Sequence, residues 1–361
     1  MIEMDKIASI VLYLAVYITS AYLMSRSRIV ETKRLDLSFV LAVLLPVLLA
    51  ANRYYVGTDF ENYYYMYRSM SRCSFKNWLM TEMTLDGTPL GIWFISRVAF
   101  QFNSYKMFYG LLSAVIYVPA ALVLKKQYPK DLNFLAVFMF LTSTFTSGLN
   151  IGKQVAAVVM LIAGLQYVYE RRFWKFLLMV FFAFCFHPSA LVIVPIYFLW
   201  KPEDAVFSFK RLVFIVGSIL FLNFLPQILT MVGGRFESYT AYTDEISNKS
   251  FYMSLAWVVF FLLMRRRYTD LDWRNDLYIT IVLIGLILNI SGFSSPYVKR
   301  IAIYYTFPQN FLIFQVPYLF DERDKPLFKF LVFVYTIVMF VVSYYFFEFS
   351  DIIPYKYYGG A

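Results

Sequence analysis

The chain has 361 residues, of which 60% are hydrophobic, 21% aromatic and only 16% charged, and its mean hydropathy is +0.61. That balance excludes a soluble domain of this size, which would need far more polar surface. The formal net charge of +10 reads first as membrane topology and not as a nucleic-acid footprint, because lysine and arginine collect in cytoplasmic loops.

The apolar residues come in long blocks, without the alternating ten-residue segments of an outer-membrane barrel, so the spans are helices. Residues Met1 to Lys6 carry Glu3 and Asp5 and lack the basic n-region of a cleavable signal peptide. In chain order, about twelve spans are predicted. They lie near 7–24, 36–51, 106–124, 132–147, 151–169, 173–187, 188–200, 211–232, 251–264, 275–291, 300–320 and 327–347. A further apolar segment, 89–102, would break the alternation of sides if it crossed, and is read as a re-entrant or interfacial helix. The expected fold class is therefore all-α, a polytopic integral membrane protein with a single transmembrane domain over 1–361. A large extracytoplasmic loop, 52–105, would include the non-spanning helix. Basic clusters at Arg26–Arg34, Lys125–Lys130, Arg171–Lys175, Lys201–Arg211, Arg265–Arg274 and Arg323–Lys329 all fall on one side of these spans. That side is cytoplasmic, which puts both termini outside.

The basic residues that this rule leaves over lie in outer segments or at outer helix ends. As a set they suggest an anionic ligand; singly, each could be a snorkelling side chain. The first group is in "NRYYVGTDFENYYYMYR", with Arg53, Gly57-Thr58-Asp59, Tyr63 and Tyr67. Aromatic rings stack on sugar faces and carboxylates accept hydrogen bonds from sugar hydroxyls; an interfacial aromatic belt is the plainer account of the tyrosines. In "SGLNIGKQVAAVV", Lys153 and Gln154 stand in the first turn of an apolar helix. A lysine there opposes the macrodipole, but is sensible if helix end and ammonium share an anion.

The only histidine, His187, sits in "FCFHPSAL". Pro188 biases it away from the helical region and suits the first position of a new helix, so a helix break is expected. A neutral imidazole at that break would be a candidate base; a buried histidine bonded to a carbonyl is the alternative. Later, Arg235 follows a glycine pair in "GGRFESY", and Lys299 and Arg300 open a helix in "SSPYVKR". Asp270-Leu271-Asp272 matches a D-x-D pattern but is read as solvated loop. Cys73 and Cys185 are too few for a metal cluster. Cys185 falls in an apolar stretch expected within the membrane, so no disulfide is expected. No P-loop, HExxH or dinucleotide fingerprint is present.

The order of these motifs, an outer "R…GTD…Y" loop, a basic-Gln helix start, "FHPSALVIVPIYFLW", "RFESY" and a late "KR…YY", resembles the EpsG family, related to Wzy-type polymerases of surface polysaccharides. The resemblance runs from about Arg53 to Pro317. It implies a GT-C-like glycosyltransferase of the bacterial inner membrane, with its active site facing the periplasm or exterior. Such a protein joins polyprenyl-pyrophosphate-linked oligosaccharide repeat units of O-antigen, capsule or exopolysaccharide, with no metal or other cofactor. Its partners would be that lipid-linked glycan, membrane lipid and a chain-length-regulating co-polymerase. Arg53, Gly57, Asp59, Lys153, Gln154, His187, Arg235 and Arg300 fall on family motifs. Lys153 stands where the family usually has arginine, and Gly87-Thr88-Pro89-Leu90-Gly91 lacks the glutamate of an "EPLF"-like signature. In the resulting expectation Lys153, Arg235 and Arg300, with Lys299 beside them, hold the pyrophosphate. His187 or Asp59 serves the acceptor hydroxyl, and Tyr63 and Tyr67 contact sugar. A flippase for the same lipid, or a glycan ligase, would need a similar basic and aromatic surface.

Overall fold

The computed structural model describes residues 1–81, 87–201, 213, 216–217, 249–291 and 296–358. Its principal helices are α1 (Lys6–Arg26), α2 (Leu37–Asn52), α3 (Phe60–Met70), α4 (Leu90–Phe100), α5 (Tyr105–Gln127), α6 (Lys130–Phe140), α7 (Gly152–Tyr169), α8 (Phe173–Phe184), α9 (Lys249–Leu263), α10 (Asn275–Ser291), α11 (Pro296–Thr306) and α12 (Lys325–Val341). Among the described residues four stretches are long and apolar enough to cross a membrane: Lys6–Thr32, Tyr105–Gln127, Gly152–Tyr169 and Lys325–Phe346.

The other expected spans are shorter or broken, and proline accounts for two of the breaks. Residues 188–200 form no α-helical span. Pro188–Ile193 is a 3-10 helix and Ile196–Leu199 a single turn after Pro195. Residues 300–320 divide into α11, Gln309–Ile313 and a 3-10 turn at Val316–Leu319, at Pro308 and Pro317. Each proline lacks the N–H that a continuous helix needs. The 132–147 span is α6 followed by a π-helical turn, Leu141–Phe145. There Thr142, Ser143 and Thr146 return their hydroxyls to carbonyls of the preceding turn, which competes with regular helix bonding. The 211–232 span lies outside the described residues. Segment 89–102 becomes α4, 11 residues long and about 16 Å in length, too short to span. Gly91, Ile92, Ile95, Ser96 and Ala99 form its buried face.

The described chain forms two compact units: Met1–Ala163 with Phe181–Pro188 and Asp324–Ala361, and Gly164–Val180 with Ser189–Arg323. In the first, α1 packs on α2 and α6, α2 on α5, and α4 on α3 and α5. Without water between helices, small residues and hydroxyl bonds hold such contacts. Ser20 Oγ donates to the Ala42 carbonyl at 2.6 Å and meets Tyr117 Oη at 2.8 Å; Tyr17 Oη meets Thr146 Oγ1 at 3.0 Å.

The basic clusters share one end of this unit. Lys125 Nζ donates to the Ser25 carbonyl at 3.1 Å, and Lys329 pairs with Asp131 at 3.0 Å. The opposite end carries both chain termini. Ile2–Glu3 pairs antiparallel with Lys356–Tyr357, and Arg53 bridges to Tyr357. The termini therefore lie on the same side, as the charge pattern requires.

In the second unit α10 packs on α9 and α11, and its start carries a polar knot. Asp276 accepts from Trp200 Nε1 at 3.1 Å and from Arg265 at 2.7 Å, while Asn275 and Gln315 exchange amide bonds of 2.9 and 3.0 Å.

At the basic end of the first unit, Asp36 closes the α1–α2 connection. Its carboxylate accepts from Ser27 Oγ, from the Arg28 N–H and from the Phe39 N–H, each at 2.8 Å. Partial burial works against ionisation, but these three donors outweigh it and hold the carboxyl below its ordinary pKa. Asp36→Ala should lower the thermal midpoint in detergent, at a cost of about 1–2 kcal/mol, with Asp36→Asn intermediate. The wild-type contribution is present above the unfolded carboxyl pKa and lost as pH falls through the lower folded value. The gap between wild type and Asp36→Ala should therefore close in acid.

Candidate functional site

The end of the first unit that carries both chain termini is built around residues 53–59. Gly57 has φ +92°, which glycine adopts without strain, and a Cβ there would lie 3.0 Å from the Leu149 carbonyl oxygen. The loop therefore lies flat on the turn Leu149–Asn150. On its other side the C-terminal residues take its backbone donors. Tyr54 N–H reaches the Lys356 carbonyl at 2.8 Å, and the Gly57 and Thr58 N–H groups reach the Asp351 and Ser350 carbonyls at 3.1 Å.

Arg53 anchors the start of this loop. It is 1% exposed, donates to the Leu149 carbonyl at 2.9 Å and to the Ala50 carbonyl at 3.4 Å, and lies 4.7 Å over the Tyr109 ring. Burial draws its pKa below the ordinary guanidinium value, opposed by surrounding phenols of Tyr109, Tyr13, Tyr355 and Tyr63. Arg53 thus braces the loop from within, through the Leu149 and Ala50 carbonyls.

Asp59 stands at the N-cap of α3 but makes no capping bond with its side chain. The carboxylate is half-exposed, accepts from Asn62 Nδ2 at 3.4 Å, and acts electrostatically on both Lys153 and Tyr63. One turn further along α3, Tyr63 is buried, and its Oη accepts the N–H of Lys153 at 2.9 Å. The phenol thus takes a first-turn donor of α7. The helix end expected to help hold an anion already has that donor engaged. What remains for a ligand is the half-buried Lys153 ammonium, 5.9 Å from the Tyr63 ring centroid. Gln154 is buried beside it in the sequence. Tyr67 is buried against Phe108, with ring centroids 5.5 Å apart.

His187 also falls in this unit. α8 ends at Phe184, the His187 N–H bonds to the Ala183 carbonyl at 3.0 Å, and Pro188 opens the 3-10 turn. The break is where the proline predicts it, with a tighter helix after it than expected. The imidazole is half-buried. The sequence did not reveal what docks here. The Gly91 N–H donates to the Cys185 carbonyl at 2.7 Å, and a Cβ on Gly91 would fall 2.5 Å from the Phe186 ring. The Thr88–Gly91 segment thus abuts the turn that carries His187, and Trp78 Nε1 fixes it by donating to the Thr88 carbonyl at 2.8 Å. Only the shared order of the two motifs hinted at this.

Arg235 lies outside the described residues. Lys299 and Arg300 stand in the first half of α11, in the second unit, described there in backbone alone. The D-x-D aspartates differ from the solvated loop expected: Asp270 is exposed but lies at the end of the short helix Arg265–Leu271, and Asp272 is partly buried and paired to Arg274. Both cysteines are free thiols. Among the described residues no three His, Cys, Asp or Glu side chains are grouped to hold a metal.

The family model for EpsG matches residues 36–357, nearly the whole chain. No curated protein and no solved structure matches it.

Tyr63→Phe keeps the buried ring and removes only the hydroxyl. The Lys153 N–H would lose its acceptor, at about 1–3 kcal/mol. The thermal midpoint in detergent should fall accordingly, while Tyr65→Phe, at an exposed ring of the same helix, should leave it unchanged.

Proposed function

Because the chain belongs to the EpsG family, a membrane protein family of polysaccharide biosynthesis, we propose that it polymerises polyprenyl-pyrophosphate-linked oligosaccharide repeat units. The reaction breaks the bond between the anomeric carbon of the growing glycan and its pyrophosphate oxygen. The lipid pyrophosphate departs with the electron pair. A hydroxyl of the next lipid-linked unit forms the new glycosidic bond and gives up its proton.

The observation that carries this reading is the placing of Asp59 within electrostatic reach of Lys153 in the first unit, each presented by a motif of the family. A sugar pyrophosphate already has a good leaving group, so the main demand is stabilisation of the charge that grows on phosphate. Lys153 offers that charge as a point cation, and Asp59 is positioned to orient the acceptor hydroxyl or take its proton. Arg235 and Arg300, with Lys299, keep the pyrophosphate role, and His187 the base-or-anchor role, that the family motifs imply. The active site would face the periplasm or exterior of a bacterial inner membrane, with polyprenyl chains entering from the lipid.

Purified protein in nanodiscs is given lipid-linked glycan extracted from source cells that lack the gene, and products are sized on a gel. A ladder formed with no added nucleotide sugar supports the polymerase. Movement of the same lipid between leaflets without a ladder would instead mark a flippase, and transfer to an unrelated acceptor a ligase. Lys153→Ala should slow laddering by roughly 100-fold or more, with Lys153→Arg largely restoring it. A wild-type rate in Lys153→Ala removes the lysine from the site.

A further inference from the structure

Asn150 has one side-chain oxygen, and it is used twice. Oδ1 accepts from Thr58 Oγ1 at 3.1 Å and from the Asp59 N–H at 2.7 Å. The residue is 6% exposed and sits in the turn before α7, fixed by its own N–H to the Ser147 carbonyl at 3.0 Å. Its neighbour Leu149 receives Arg53, and a Cβ on Gly57 would fall 3.4 Å from Asn150. Lys153 follows three residues later. One carboxamide therefore ties the motif that carries Asp59 to the helix start that carries Lys153.

We propose that Asn150 is a positioning residue that acts through Asp59. The argument is local. The Asp59 side chain makes no capping bond, and α3 offers it only the long 3.4 Å donor of Asn62. The bond from its own N–H to Asn150 fixes the backbone from which the carboxylate projects. A neutral acceptor is required at this point. An aspartate would bring a second negative charge beside Asp59, and an apolar side chain would leave a buried N–H unpaired. Misplacing a reacting group by a fraction of an ångström to an ångström costs rate more than binding. The inference rests on the reading of Asp59 as a group that serves the acceptor hydroxyl.

The test is a double-mutant cycle on the full-length protein in nanodiscs, using the lipid-linked glycan extracted from gene-deleted source cells. Asn150→Ala should lower the saturated laddering rate by roughly 10- to 100-fold and leave KM within about threefold of wild type. In the Asp59→Asn background the same change should have no further effect, because the group it positions is already disabled. Equal losses in both backgrounds, or a loss confined to KM, overturn the positioning role. A wild-type rate in Asp59→Asn overturns the reading of the site and this inference with it. If Asn150→Ala does not fold, Thr58→Val, which removes only one of the two bonds, goes in its place beside Asn150→Asp, which keeps both acceptors. Both should then lose saturated rate in the wild-type background only, and additivity again overturns the role.

Discussion

Irregular backbone beside lipid must find its hydrogen-bond partners within the protein, and the segment 53–59 obeys that constraint from two sides. The C-terminal residues Ser350, Asp351 and Lys356 supply carbonyls to Thr58, Gly57 and Tyr54. The turn before α7 supplies Asn150 to Asp59 and Leu149 to Arg53. The N-terminus joins through Met4, whose N–H bonds to the Tyr355 carbonyl at 3.0 Å. Two chain ends, a loop and a helix start are thus one assembly. A change far along the sequence, near residue 350, acts directly on the loop that carries Asp59.

Tyrosine does much of the joining. The chain has 31 of them, which suggests an interfacial belt, yet the innermost are struts. Tyr109 Oη donates to the Phe60 carbonyl at 2.7 Å, Tyr355 Oη to the Leu49 carbonyl at 2.8 Å, and Tyr17 and Tyr117 bond to hydroxyls of neighbouring helices. A phenol fills core volume and brings a polar tip that must be satisfied. Between helices in lipid each such bond fixes register, because an unpaired hydroxyl has no water to turn to. Tyr63 belongs to this class, and its bond to the first turn of α7 sets how Lys153 is offered.

The long helices were legible because hydropathy and caps agree. Asp5, Asp36 and Ser104 each cap the helix that the apolar run then extends. Two of the failures have one cause. Residues 188–200 and 300–320 are as apolar as a span, and hydropathy does not register a missing N–H at Pro188, Pro195, Pro308 or Pro317. At the candidate site, the identities of Asp59 and Lys153 were readable from their motifs. The burial of Arg53 and Tyr67 was not, because whether a side chain turns inward depends on the partner helix. Asn150 carried no signal of its own, since a buried asparagine in a turn resembles any turn residue.

The lysine at position 153, where the family usually has arginine, gains meaning from the phenol beside it. An arginine can hold phosphate through a bidentate fork, whereas an ammonium acts as a point charge on a flexible stem. With the Lys153 N–H directed at Tyr63, that donor of the helix end cannot reach a ligand without displacing the phenol. The ammonium is then the main positive group this helix offers, with Asp59 partly offsetting it in the free protein. A pyrophosphate that binds here meets a site whose positive charge is modest until the acceptor hydroxyl engages Asp59. On the proposed reaction, that arrangement makes the charge available to the leaving group greatest when both substrates are in place. A lysine tolerates it better than a rigid fork would, because its stem can turn from the carboxylate toward the phosphate.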